Sequence, residues 1–233
     1  MDADKTLWSF LDRHDAGQRL ACKLADPLPE PGTVVLALPR GGIPVALAIA
    51  RRYGLPLEPL VVRKVGVPHF PEFAMGAMAV GGECVLDREL VQRLHLSDGD
   101  VDQAIARERA ELTEREGRYR MSVPLSSLRG CPVIIVDDGM ATGSTMLAAI
   151  TALRAVQVGT VTVAVPVLSR EALRKVERVA SRVLWLVCPP DFESVGQCYR
   201  DFRQLRDDEV IAQLSRAQRL PASDLPAVAT SSH

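Results

Sequence analysis

Short aliphatic runs alternate along the chain with segments in which apolar residues recur at helical spacing. A buried strand appears as a nearly continuous aliphatic run, whereas an amphipathic helix places apolar residues three or four positions apart. The pattern predicts strands over residues 33–38, 57–64, 131–138, 159–168 and 181–190. It predicts helices over residues 11–24, 43–53, about 144–156, 169–180 and about 207–218. This alternation indicates an α/β protein whose parallel sheet is covered by helices on both faces.

The middle of the chain interrupts this alternation. Residues 65–82 carry Pro, Gly and aromatic residues, and residues 100–120 form a strongly charged segment that predicts a helix with a solvated face. We interpret residues 65–125 as a partly mobile excursion from the main sheet. His69 and Glu72 within it are given no chemical role. The polar tail, residues 219–233, is predicted to be disordered.

Composition excludes several classes of function. The 233 residues include 28 basic and 29 acidic residues, for a net charge of −1, so neither nucleic acid nor a membrane surface is an expected partner. Five scattered cysteines are typical of reduced intracellular thiols. The N-terminus is charged, and no apolar run reaches the ~20 residues of a membrane span. We therefore expect a cytoplasmic protein with one domain over residues 1–218.

Three turns that follow predicted strands are candidates for a ligand site, because parallel sheets bind ligands beyond the carboxyl ends of their strands. They are "LPRGG" (38–42), "VVRKVG" (61–66) and "VDDGMATGST" (136–145). The third combines two adjacent acids with a Gly-, Ser- and Thr-rich loop before a helix. Such a helix start presents backbone N–H groups, hydroxyls and a positive dipole end to a phosphate, without requiring Lys or Arg. The candidate phosphate-binding residues are Met140, Ala141, Thr142, Gly143, Ser144 and Thr145.

Asp137 and Asp138 offer acceptor oxygens to vicinal hydroxyls and suit a developing positive charge. They lie roughly 5–8 Å before the phosphate-binding loop if that loop is curled, which matches the distance from a ribose diol to its own 5-phosphate. The two acids and the loop therefore predict a site for a ribose 5-phosphate. The alternative is that one acid caps the following helix, although a cap requires only one.

The stretch "VIIVDDGMATGST" (133–145) resembles the phosphoribosyl-pyrophosphate (PRPP) motif of the type I phosphoribosyltransferases over its full 13 residues. The resemblance implies an α/β fold with a parallel sheet, helices on both faces, a flexible-loop excursion and a small hood. It implies a core over about residues 30–64 and 130–190 and a hood from residues 1–29 and 185–218. It also implies that Asp137 and Asp138 contact the ribose hydroxyls and that residues 141–145 bind the 5-phosphate.

The resemblance extends to the other two turns. "LPRGG" lies where the family has its pyrophosphate loop, which implies that Gly41 and Gly42 present N–H groups to the anion and that Arg40 adds a charge. The family often holds a cis peptide here, for which the Arg40–Gly41 bond is the candidate. By the same resemblance Lys64 contacts pyrophosphate, and Arg63 is a weaker candidate because adjacent strand residues face opposite ways. Ordinary turn and surface roles remain the alternatives.

The acceptor base is the least specified part of the site. "PPDF" (189–192) resembles a segment of hypoxanthine-guanine enzymes in which an aromatic ring stacks on the purine, so Phe192 is a candidate platform and Trp185 a second one. However, Ala141 stands where those enzymes carry an Asp that handles a purine proton, and adenine enzymes have "Ala-Thr-Gly" there, as this chain does. A purine is favoured, while pyrimidines and other nitrogen heterocycles remain open.

The resemblance implies a Mg²⁺-dependent transferase of nucleotide salvage that uses PRPP and a nitrogenous base and releases pyrophosphate. Mg²⁺ is expected to be held by PRPP and water, with Asp137 or Asp138 reaching it through a water and no direct protein ligand. Arg40 and Lys64 are expected to stabilise the leaving group. A homodimer is a further hypothesis. The main alternative is a regulator of the same fold that senses PRPP or nucleotides without turnover, and the second is a receiver or phosphatase domain.

Overall fold

The computed structural model describes residues 10–26, 28–81, 84–119 and 121–218, so the predicted disordered tail lies outside the described residues. The strands are β1 (Val34–Ala37), β2 (Leu57–Pro59), β3 (Val62–Val67), β4 (Phe70–Ala79), β5 (Val85–Leu86), β6 (Val133–Val136), β7 (Val161–Val167) and β8 (Arg182–Val187). The helices are α1 (Arg13–Lys23), α2 (Gly42–Tyr53), α3 (Arg88–Arg93), α4 (Asp98–Glu116), α5 (Ser144–Ala155), α6 (Arg170–Val176) and α7 (Asp207–Gln218).

The main sheet has five parallel strands in the order β2-β1-β6-β7-β8, which confirms the predicted fold class. Alternate residues of the central strand β6 face opposite sides, as the strand period requires. Ile134 and Val136 pack with α1, α2 and α7, while Val133 and Ile135 pack with α5 and α6. Both faces of the sheet are therefore covered, which explains why the core strands are continuous aliphatic runs.

The predicted strand over residues 57–64 is wrong as a single element. Strand β2 ends at Pro59, and the chain then enters β3, which pairs with β4 and β5 in a separate antiparallel sheet. Leu60 and Val61 are buried between the two sheets: the Leu60 N–H donates to Ala37 O at 2.8 Å, and the Val80 N–H donates to Val61 O at 3.0 Å. Because residues on both sides of this switch are apolar, hydropathy alone does not reveal it. Arg63 and Lys64 consequently lie on the antiparallel hairpin.

The excursion from the main sheet forms the β3–β4–β5 sheet and helices α3 and α4. Helix α4 lies along β3 and buries Val101 and Leu112, while most of its charged side chains face solvent as predicted. The hairpin also packs on α5, the helix that follows the acid pair. The excursion therefore borders the carboxyl edge of the main sheet. None of the helices among the described residues is long and apolar enough to cross a membrane.

The hood joins the start of the described chain to the segment after β8. The Phe10 N–H donates to Cys198 O at 2.8 Å, and the Arg200 N–H donates to Phe10 O at 2.8 Å. The rings of Phe10, Tyr199 and Phe202 continue this contact, with centroids 5.3 Å apart for the first pair and 4.9 Å for the second. These contacts hold α1 over the carboxyl end of β6.

Candidate active site

The acid pair stands at the carboxyl end of β6, the central strand of the sheet. Asp137 Oδ1 accepts the Asp138 N–H at 2.8 Å, so the two residues share one tight turn. Burial raises the pKa of Asp137 well above its usual range, and the charge of Asp138 raises it further. Burial also raises the pKa of Asp138, although Arg13 opposes this shift. Two carboxyl groups in such surroundings favour a ligand that supplies hydroxyl donors or positive charge.

Asp138 is held by the hood, through residues that sequence analysis did not identify. Arg13 Nε donates to Asp138 Oδ2 at 2.7 Å, with both side chains largely buried. The Tyr199 hydroxyl donates to the carbonyl of Asp138 at 2.6 Å. Burial and the nearby acid pair raise the pKa of Tyr199, so the hydroxyl keeps its proton. No sequence signal marks these residues, because Arg13 is 125 positions from Asp138.

The "RGG" loop touches the same carboxylate. A Cβ added to Gly41 would lie 2.0 Å from Asp138 Oδ2, and one added to Gly42 would lie 2.5 Å from Val136 O. Both positions therefore require glycine, because any side chain would collide with the end of β6. The sequence alone explains these glycines only by access of an anion to the backbone N–H groups. Arg40 is partly exposed beside this loop, and its Nη1 lies 3.7 Å from Asp207 Oδ1.

The expected cis peptide is one bond earlier than predicted. It joins Pro39 to Arg40, not Arg40 to Gly41. Gly41 already has helical dihedrals (φ −63°, ψ −34°) as the N-cap of α2, and the Ile43 N–H donates to Arg40 O at 3.3 Å. The bond after Arg40 is thus part of the entry to α2.

The loop before α5 has the features expected of a phosphate cup. Gly143 adopts a left-handed conformation (φ 75°) as the N-cap and has no side chain to bond the helix start, while the Ser144 N–H donates to Thr142 Oγ1 at 3.3 Å. The first N–H groups of a helix have no acceptor within it, so those of α5 point to the loop. Thr142 and Thr145 are exposed, and Thr142 Oγ1 lies 3.0 Å from Ser144 Oγ. Ser169 Oγ donates to Ala141 O at 2.6 Å and so fixes the loop from β7.

Met140 does not belong to this cup. Its side chain is buried in the core, its N–H donates to Val167 O at 2.9 Å, and its carbonyl accepts the Ser169 N–H at 2.9 Å. A residue whose backbone groups both pair with the neighbouring strand end has none left for a phosphate. The prediction that Met140 binds the phosphate is therefore wrong, and Met140 instead anchors the loop to the end of β7.

A cavity of about 870 Å³ opens beside the phosphate cup. The cup, the hairpin and α4 all contribute to its walls. Its charged and hydroxyl-bearing lining residues are Arg63, Lys64, His69, Asp100, Arg107, Glu108, Arg115, Thr142, Ser144, Thr145 and Lys175. Basic side chains outnumber acidic ones, so the cavity suits an anion of several charges.

Cations reach this cavity from unexpected elements. Lys175 of α6 lies 3.5 Å from Thr142 O and 2.6 Å from Glu171, so the cup has an adjacent cation that its sequence did not predict. Arg63 donates to Glu108 at 2.8 Å and also contacts Glu111, which ties the hairpin to α4. The signal that could have identified Lys175 is its place on the helix that follows the neighbouring strand.

A second cavity, of about 330 Å³, adjoins the "RGG" loop. Its lining includes Arg40, Arg118, Tyr119 and Asp207, and Arg115 lines this cavity as well as the larger one. The Tyr119 hydroxyl donates to Asp207, and burial is the first cause that raises the Tyr119 pKa. Arg115 therefore stands between the phosphate cup and the loop predicted to bind pyrophosphate.

The two aromatic candidates for the base lie apart in the structure. Phe192 is half-buried in the cluster that contains Phe10 and Val187. Trp185 is in the middle of β8 and packs against the opposite cluster, with Lys23 Nζ 5.5 Å from its ring. Of the two, Phe192 follows the carboxyl end of a strand, where the other site residues collect. Ala141 is exposed in the cup and brings no side-chain functional group there.

The fit of Mg²⁺ can be judged from the oxygen ligands present. Among the described residues no group of three or more His, Cys, Asp and Glu side chains could hold a metal ion. The adjacent carboxyl groups of Asp137 and Asp138 supply hard oxygen atoms. Burial raises the pKa of both, and the charge of Asp138 raises the pKa of Asp137 further, so a nearby positive charge would favour their ionised forms. This fits a Mg²⁺ ion that takes most of its ligands from substrate and water.

Comparisons with known proteins agree with this geometry. A family model described as "Phosphoribosyl transferase domain" matches residues 10–203, and the chain belongs to this family. Two proteins from strains of Mycobacterium tuberculosis, each named "Putative phosphoribosyl transferase", are 43% identical over 210 residues, which is 90% of this chain and 47% of theirs. The chain thus spans about half the length of the curated relatives it matches. The crystal structure of TT1426 from Thermus thermophilus superposes with a TM-score of 0.79 at 40% identity, over 89% of this chain and 98% of that one.

Proposed function

We propose that the protein transfers the 5-phosphoribosyl group from PRPP to a ring nitrogen of a base and releases pyrophosphate. The observation that carries the proposal is the position of the Asp137–Asp138 pair. It borders the "RGG" loop on one side, since Gly41 packs directly against the Asp138 carboxylate. On the other side a short loop connects it to the helix start of α5. This arrangement can bind the ribose, the pyrophosphate and the 5-phosphate of one molecule.

Different residues bind the ribose, the 5-phosphate and the pyrophosphate of PRPP. Asp137 and Asp138 accept the ribose hydroxyls, and the cup formed by residues 141–145 binds the 5-phosphate with Lys175 beside it. The Gly41 amide, together with Arg40 and Lys64, stabilises the negative charge that develops on the leaving pyrophosphate. The Gly42 N–H donates to Leu38 O at 3.0 Å, so Gly42 serves the close packing of the loop and does not bind the anion. Arg63, which α4 binds through two glutamates, has the lesser role.

The reaction needs no covalent enzyme intermediate. As the bond from C1 to pyrophosphate loosens, positive charge develops on the ribose ring, and the carboxylates of Asp137 and Asp138 stabilise that charge. The same carboxylates hold the ribose in one orientation, so that the attacking nitrogen meets C1 in line. Mg²⁺, when bound, would neutralise the pyrophosphate charge, and Asp137 and Asp138 would hold it through water.

The acceptor we favour is a purine. The support is the resemblance of "PPDF" (189–192) to a purine-stacking segment, together with the partial exposure of Phe192 beside the hood. A flat aromatic ring is a good platform for a heterocycle of this size. Because Ala141 has no proton-transfer group, the enzyme would not handle the purine proton in the way described for hypoxanthine-guanine enzymes.

Binding of Mg-PRPP measured by calorimetry tests the proposal. The wild-type protein is expected to bind, and the Asp137→Asn/Asp138→Asn double variant is expected to lose most of that affinity because it loses both carboxylates. Asp26→Asn/Asp102→Asn, which changes two exposed aspartates that line neither cavity, is the matched control. Equal affinity in the wild type and the acid-pair variant would contradict the proposed ribose site. Binding without any turnover would favour a PRPP sensor instead.

A further inference from the structure

Arg13 joins the hood to the acid pair through several directed contacts. Its Nε donates to Asp138 Oδ2 at 2.7 Å, and its Nη1 donates to Arg203 O at 3.0 Å. Its guanidinium carbon lies 3.9 Å from the centroid of the Phe202 ring. The side chain is 10% exposed. An arginine with a carboxylate, a carbonyl and an aromatic ring around it has one orientation, so the group is rigid.

These contacts fix the direction of the Asp138 carboxylate. Arg13 bonds to Oδ2, and the backbone of Gly41 packs closely against the same oxygen, since a Cβ added to Gly41 would meet Oδ2 at 2.0 Å. The Tyr199 hydroxyl holds the Asp138 carbonyl at 2.6 Å, so the backbone is fixed as well as the side chain. The carboxylate therefore cannot turn freely, and Oδ1 is the oxygen that the ion pair leaves to a ligand.

The ion pair also gives the two adjacent acids different surroundings. Arg13 bonds directly to Asp138 and not to Asp137, although the two acids are adjacent. A buried carboxylate that loses its bonded cation becomes costly and rotates or rearranges to find another partner. Loss of Arg13 would thus disturb the acid pair without removing either acid.

We propose that Arg13 is a positioning residue for the ribose-binding site. It acts through Asp138: the ion pair holds the carboxylate so that Oδ1 faces a ribose hydroxyl, and the hood is thereby coupled to PRPP binding. This inference rests on the proposed function. It predicts that loss of Arg13 weakens the binding of a ligand that contains a ribose. Pyrophosphate alone, which binds to the "RGG" loop and its cations, should lose much less affinity.

The test compares two ligands by calorimetry, Mg-PRPP and Mg-pyrophosphate, in the wild type, Arg13→Gln, Arg13→Lys and Arg19→Gln. Arg19 is the matched control, because it is on the same helix and pairs with Asp15 at 3.0 Å, with a side chain that is 50% exposed. Arg13→Gln is expected to weaken Mg-PRPP binding about 10- to 100-fold, as is usual when a group that orients a ligating residue is lost. Its affinity for Mg-pyrophosphate is expected to fall by a clearly smaller factor, because pyrophosphate has no ribose to bind the Asp138 carboxylate and is affected only through the packing of Gly41 on it. Arg13→Lys should recover part of the loss, and Arg19→Gln should show none.

Equal weakening of both ligands by Arg13→Gln would overturn the proposal, because it would indicate general damage to the fold, and so would unchanged PRPP affinity. Thermal unfolding of each variant is measured first, and if Arg13→Gln is unfolded, Arg13→Lys carries the same comparison of two ligands. A wild type that binds pyrophosphate but not PRPP would refute the proposed function itself. That result is distinguishable from a wild type that binds both while Arg13→Gln leaves PRPP affinity intact.

Discussion

Replacement of Asp137 by Asn should stabilise the protein and abolish its binding of PRPP. Asn keeps the shape of the side chain and the acceptor oxygen that receives the Asp138 N–H. It removes the charge that burial disfavours and the repulsion by Asp138. Binding sites commonly contain groups that destabilise the ligand-free protein, so a substitution that removes such a group increases stability and reduces function.

The sign and size of the effect follow from the direction of the pKa shift. The fold raises the pKa of Asp137, so the folded protein holds this proton more tightly than the unfolded chain does. The associated stabilisation is fully present below the unfolded pKa, about 3.9, and is lost as the pH rises through the raised pKa of the folded state. Each pKa unit corresponds to about 1.4 kcal/mol. A gain of at least about 1 kcal/mol at pH 8, or about 2–4 °C in Tm, is therefore expected for the Asn variant.

Thermal and urea unfolding of the ligand-free protein between pH 5 and pH 8 would measure this gain. The advantage of Asp137→Asn over the wild type should be small at the acid end and grow as the pH rises. Asp191→Asn makes the same chemical change at an exposed position and should not alter stability. An Asn variant that is less stable than the wild type at pH 8, or an advantage that does not depend on pH, would show that the buried charge of Asp137 does not destabilise the fold.

Three further substitutions test other parts of the site and the core. Gly41→Ala places a methyl group on Asp138 Oδ2, so we expect a stability loss of about 1–3 kcal/mol in urea unfolding and weaker Mg-PRPP binding; an unaffected protein would contradict the close packing. Lys175→Gln should raise the KM for PRPP about threefold to tenfold with kcat unchanged, whereas Arg174→Gln on the same helix should leave both constants unchanged. Ile135→Ala, at a fully buried position of β6, should lower the free energy of unfolding by about 2–5 kcal/mol, and a loss below about 1 kcal/mol would contradict its place in the core.

The part of the site that could be predicted from sequence is the part that is contiguous in the chain. Asp137, Asp138 and the loop through Thr145 lie between one strand and the next helix, so their spacing along the chain already limits their spacing in space. The alternation of aliphatic runs with helices likewise predicted the parallel sheet, because the inner strands β1, β6 and β7 are buried on both faces.

The contacts that could not be predicted are those between distant segments. Arg13 reaches Asp138 across 125 positions, and Lys175 reaches Thr142 across 33. The sequence places Lys175 on the helix after the neighbouring strand, but local patterns do not show which of many exposed cations will meet the acid pair or the loop that follows it. The sequence also did not reveal that residues 57–64 are divided between two sheets. Leu60 and Val61, where the chain passes from one sheet to the other, are apolar and buried, so hydropathy shows no break there. The predicted cytoplasmic location and homodimer stay predictions.

The decisive assay for the proposed transferase is release of pyrophosphate from Mg-PRPP, measured across a panel of purine and pyrimidine bases. We expect release that requires a base, is fastest with a purine, and is lost in the Asp137→Asn/Asp138→Asn variant. Release that proceeds equally well without the two acids, or a protein that neither binds nor turns over PRPP, would rule the proposed function out.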